Sequence, residues 1–148
     1  MACHYDIYQT YVQTGMGQSM SLATPENSEA IFTENSILID TFNQFSYHPF
    51  WKDSVLKLKE LHDYGERVED VDFIVGSGHH TNSHLWEDGG YVHQMPFTYY
   101  TQDGHLDFPP GFEDGYNSRF SRKIGLECMS CHNATPDFVL GSENKYHS

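Results

Sequence analysis

Near the end of the chain stand Cys128-Met129-Ser130-Cys131-His132. Two thiols at this spacing, with a histidine directly after the second, suit one piece of chemistry. Each thiol can add to a vinyl group of one porphyrin, and the imidazole then lies under the ring and binds its iron. That reaction needs all three residues in this order, so the pattern says more than Cys-x-x-Cys alone. The same residues could also form a zinc half-site or a redox dithiol, or coincide by chance.

A second, partial copy of the pattern opens the chain. Cys3-His4 follows Met1 and Ala2, which fill the two intervening positions. On that reading the missing thiol would precede Met1, and the chain is expected to be a segment of a longer protein. An ordinary dipeptide is the alternative. Ile7, Tyr8, Tyr11 and Val12 recur at helical spacing, and Gly15 and Gly17 close the helix they predict.

A third stretch rich in possible ligands runs Gly76-Ser77-Gly78-His79-His80-Thr81-Asn82-Ser83-His84. It is not a dinucleotide loop, because Thr81 stands where the third glycine belongs and no amphipathic helix follows. Its glycines permit a tight turn that could bring a histidine against a flat ligand. His80 and His84 would share a face if the stretch were helical.

Composition narrows the classes. The net charge of −13 over 148 residues makes nucleic acid an unsuitable partner and fits a basic partner protein or simple solubility. Ten histidines is a high count for this length, and iron ligation accounts for it economically. Aromatic residues are as numerous as Ile, Leu and Val together, as expected of a core that is partly flat rings or partly a cofactor. Three cysteines cannot close a disulfide framework. No apolar run is long enough to span a bilayer, and no signal peptide is visible. Because c-type haem is attached outside the cytoplasm, the haem reading expects an export signal that is not in this chain, and a periplasmic or extracellular location.

The elements that must position these residues are expected to form one α+β domain over 1–148. A small antiparallel sheet with hairpins fills the middle, short helices lie at the haem motifs near both ends, and much of the rest is irregular. Residues 21–36 read as a loop and 37–75 as strands with turns, among which Val55-Leu56-Lys57-Leu58-Lys59 alternates as a half-buried strand does. Tyr47 to Trp51 form an aromatic patch. Gly89-Gly90 and Asp103-Gly104 mark hairpin turns. Arg119 and Arg122, in an acidic chain, are candidates to pair with haem propionates or are plain surface charge. After His132 the sequence is polar, with no closing element expected.

In the order of its parts the chain resembles the multihaem c-type cytochromes of bacteria, and within them an extracytoplasmic group related to the cytochrome c-prime-like multihaem carriers. The parts are Cys3-His4 with Tyr8, Tyr11 and Thr14-Gly15-Met16-Gly17; Gly76-Ser77-Gly78-His79-His80; Gly90, Gln94-Met95-Pro96 and Tyr99-Tyr100; Pro110-Gly111-Phe112; and Arg122 before Cys128 to Asn133. The first cysteine of the first motif departs from that pattern, so a haem there would hang by one thioether or be lost.

The resemblance implies electron transfer by about two haem c groups. Cys3, Cys128 and Cys131 would anchor them covalently, and His4 and His132 would be proximal ligands. His80 and Met16 would be distal ligands, and Arg122 a propionate partner. Partners would be redox proteins, some of them basic, and further haem domains of a longer chain. A multihaem reductase with an open iron, or a zinc module on Cys128, Cys131 and His132, are the competing functions.

Overall fold

A computed structural model describes residues 4–133 and 136–147. Among them the chain forms ten strands and two helices of seven residues each. It is therefore a mostly β protein with two antiparallel sheets, and the α+β expectation is corrected. The physical reason is that its apolar residues occur in short alternating runs punctuated by Gly, Asp and Asn turns. Such runs pair as strands and give no helix a long buried stripe.

The first sheet contains β2 (Leu38–Asp40), β3 (Phe45–Lys52), β4 (Val55–His62) and β5 (Gly65–Asp70), in that spatial order. The second contains β1 (Met20–Leu22), β6 (Phe73–Val75), β7 (Thr81–Asp88), β8 (Tyr91–Tyr100), β9 (His105–Asp107) and β10 (Arg122–Lys123). Its order is β1-β6-β7-β8, with β10 pairing Gln94 and His93 of β8, and β9 pairing Thr98 to Tyr100 further along it. The aromatic patch lies within β3, and β1 forms at the edge of the stretch expected to be a loop.

Strand alternation decides what faces what. Leu56 and Leu58 of β4 point inward with Tyr47 and Leu38, and meet Ile74, Met95 and Phe97 of the second sheet in one core. The opposite face of the second sheet carries Phe73, Val75, Leu85 and Val92. Met129 of helix α2 (Leu126–His132) and Tyr146 cover that face. Tyr146 bridges to Phe138, and Lys145 to Tyr91, so the segment after His132 does close the fold, against expectation. Its polar sequence hid the anchor: Asn144 is buried and donates to the Val92 carbonyl at 2.8 Å.

Helix α1 (Tyr5–Tyr11) buries none of its residues. Among the described residues, the one side-chain hydrogen bond from α1 to the rest of the fold is that of the Tyr11 hydroxyl, which donates to the Cys131 carbonyl.

Candidate functional site

Cys128, Cys131 and His132 all lie on α2, which the sheet positions through Met129. Gly125, extended at the N-cap, lets the chain turn from β10 into the helix. Because Cys128 and His132 are four residues apart, they share a helix face. Both line a pocket of 180 Å³ between α2 and the second sheet, with Val75, Leu85, Ile124 and Met129 as its apolar walls and Ser83 and Gln94 as polar ones. Cys128 and Cys131 are both free and exposed. Partial burial, with the negative charge of Glu127 and the neighbouring Cys131, pushes the Cys128 thiol up from its ordinary range. A catalytic dithiol needs the opposite shift, since the thiolate is the nucleophile.

The His132 ring is held from behind. Its Nδ1 lies 2.7 Å from the hydroxyl of Ser19, which donates to the Met16 carbonyl at 2.6 Å. The Ser19 carbonyl in turn accepts the Gly76 amide at 2.6 Å. Three separated stretches of sequence therefore meet at one buried serine: the Met16 turn, the start of the Gly76–His80 segment, and the end of the Cys-x-x-Cys-His helix. Gly76 can be nothing else, because with φ at +147° an added Cβ would sit 1.9 Å from the Thr81 carbonyl oxygen.

The remaining expected site residues are placed as follows. Cys3 lies outside the described residues. His4 is exposed at the N-cap of α1 and makes no side-chain cap bond. His80 is exposed on a bend just before β7, and its carbonyl accepts the Thr101 amide. Met16 is exposed, with its sulfur 4.0 Å from the Ser19 hydroxyl, on the Nδ1 side of His132. His80 and His84 do not share a helical face, because Thr81–Asp88 is a strand. His84 instead points into the core between the sheets, fully buried.

Arg122 is engaged by protein groups. It donates to Gln94 Oε1 at 3.1 Å and to the carbonyls of Pro110 and Gly111, and it lies 4.0 Å over the ring of Phe112. Gln94 and the consecutive residues Pro110, Gly111 and Phe112 thus converge on one guanidinium beside the pocket that Gln94 lines. Arg119 is far from that arrangement in function: it grips the buried Glu60 of the first sheet with Nε and a terminal nitrogen.

Sequence reading missed Ser19, Ser83 and Gln94 as pocket or ring contacts. Nothing in the sequence marks Ser19, whose link to His132 spans 113 residues. Among the described residues no three His, Cys, Asp or Glu side chains form a cluster able to hold a metal ion. No family model, no curated protein and no solved structure matches the chain.

Proposed function

We propose that the chain carries a c-type haem on Cys128, Cys131 and His132 and serves in electron transfer. The observation that carries this reading is the presentation of the motif. Two unpaired, exposed thiols stand one turn apart on a helix, with the next residue's imidazole turned into an apolar-walled pocket. The donor set fits the group: two thiols for the covalent links and one imidazole for the iron. When bound, the haem supplies a one-electron couple. The protein's own part is to hold the imidazole in place and to exclude water along Val75, Leu85, Ile124 and Met129.

The pocket volume of 180 Å³ falls below the roughly 300–1,000 Å³ of sites that enclose a small molecule. A group of haem's size would be covered only in part here. Partial cover suits exchange of electrons with an outside partner, and the net charge of −13 suits a basic one. Such attachment places the protein outside the cytoplasm. Among the described residues no helix is long and apolar enough to cross a membrane. A haem at Cys3 and His4 rests on the sequence alone. His80, exposed on the bend before β7, is the distal ligand this reading retains; the Met16 sulfur lies 4.0 Å from the Ser19 hydroxyl that meets His132 Nδ1.

Neither competing reading gains a specific observation. A zinc module needs four convergent donors, and among the described residues no three His, Cys, Asp or Glu side chains converge. The test is expression alongside the cytochrome maturation machinery, followed by a haem-peroxidase stain on a denaturing gel. The band should stain, and Cys128→Ala with Cys131→Ala should remove most of the stain. A colourless, unstained chain made under those conditions would show the reading to be wrong.

A further inference from the structure

Ser19 has one hydroxyl proton and two close neighbours. The Met16 carbonyl lies 2.6 Å from Oγ and His132 Nδ1 lies 2.7 Å from it. Ser19 is buried, so water does not compete for either contact. A carbonyl oxygen can only accept, so the hydroxyl proton goes to Met16. The serine oxygen then faces Nδ1 with a lone pair, and Nδ1 must be the donor. A neutral imidazole carries one proton on its two nitrogens. With that proton on Nδ1, Nε2 is left with a bare lone pair.

We propose that Ser19 is a positioning residue that fixes His132 in the tautomer whose Nε2 can bind a metal. The inference rests on the reading of His132 as an iron ligand. Ser19 is itself held on both sides, its amide donating to the Met16 carbonyl at 3.1 Å and its carbonyl accepting the Gly76 amide at 2.6 Å. These two bonds fix the backbone that presents the hydroxyl to Met16 and His132. A group that accepts the far N–H of a ligating histidine fixes the ring and makes it a stronger donor. A stronger donor stabilises ferric iron, so Ser19 lowers the potential of a haem bound at His132.

Two measurements test this separately from the haem reading. In the haem-free chain, nitrogen-15 NMR of the histidines above their titration range should show His132 protonated at Nδ1. Ser19→Ala should shift it toward the mixed tautomers of an unrestrained ring, and Ser19→Thr, which keeps the hydroxyl, should restore the original state. In the haem-loaded chain, Ser19→Ala should raise the midpoint potential and Ser19→Thr should return it toward the parent. An unchanged tautomer in folded Ser19→Ala overturns the assignment, whether or not haem attaches. A shifted tautomer in a chain that takes up no haem supports the serine's control of the ring and overturns the iron-ligand reading instead. A shifted tautomer with an unmoved potential overturns the serine's influence on the iron.

Discussion

The imidazole of His84 lies face to face with the ring of Phe97, their centroids 4.1 Å apart and their planes 15° from parallel. Neither ring nitrogen of His84 has a hydrogen-bond partner. Burial is the larger influence and pushes its pKa down to about 3, with the Phe97 backbone opposing it. The folded state therefore holds His84 neutral. The unfolded chain takes up a proton near the ordinary value of 6.5. Between these values the unfolded state binds more protons, so stability is present above pH 6.5 and is lost as pH falls toward 3. One proton gives a slope of about 1.4 kcal/mol per pH unit. His48 and His93, also lowered chiefly by burial, add to the same acid side. His84→Leu, similar in volume and needing no partner, should reduce this slope in urea titrations run from pH 7 to pH 4. A slope equal to the parent's would show that His84 does not stay neutral in the fold.

The second prediction concerns Glu60, which falls at an inward position of β4 after Leu56 and Leu58 and is only 3% exposed. Arg119 neutralises it with two charge-assisted bonds and also lies 4.5 Å over the ring of Phe45. Removing one partner of a buried pair leaves the other charge stranded, which costs about 3–5 kcal/mol when both are buried. The Arg119 side chain is half exposed, so the expectation for Arg119→Met is nearer about 2 kcal/mol. Glu60→Gln should cost less, because an amide is easier to bury alone. The double variant should be more stable than the two single costs predict. Additive costs in chemical denaturation would show that the pair is not coupled.

Legibility in the sequence followed the range of the signal. Helix α1 could be read from Ile7, Tyr8, Tyr11 and Val12, because a helix is specified by neighbours three and four apart. The Gly89-Gly90 turn between β7 and β8 is equally local, and both glycines adopt positive φ. Strand β1 was not legible: three residues, Met20 to Leu22, become a strand only because Phe73 to Val75 lie beside them. Strand β5 reads Gly-Glu-Arg-Val-Glu-Asp and has no apolar face to announce it. The α+β expectation fails for the same reason, because strands such as β1 and β10 are defined by pairing with distant partners that the local sequence does not show. In the site, the thiols and His132 were visible by type and spacing. Ser19 was not, because a serine's role is set by the groups that tertiary contact brings to its hydroxyl. His80 and His84 are alike in sequence, yet one is exposed and the other is sealed in the core.

The third prediction follows from how little holds α1. With no buried residue of its own, the helix gains almost nothing from packing, and isolated helices of this length are marginal. The Tyr11 hydroxyl on the Cys131 carbonyl is its side-chain tether. Tyr11→Phe should speed amide exchange across residues 8–12 while changing global stability by no more than about 1 kcal/mol, the worth of one such bond. Exchange in α1 that stays as slow as in β8 would mean that something other than Tyr11 holds the helix.

The last prediction separates the two distal candidates in the haem-loaded chain. Were His132 to hold an iron, it would do so through Nε2, because Nδ1 is engaged by Ser19. Met16 is near the Ser19 hydroxyl, and that hydroxyl meets Nδ1, the nitrogen that would not bind iron. His84 is excluded by its burial against Phe97 on the other face of the sheet. His80 is exposed, and it follows Gly76, whose amide is tied to Ser19, by four residues. His80→Ala should therefore convert one haem from low to high spin and open it to cyanide or carbon monoxide. Met16→Ala and His79→Ala should leave the spectrum low-spin. A low-spin spectrum that survives in His80→Ala but is lost in Met16→Ala would reverse the assignment.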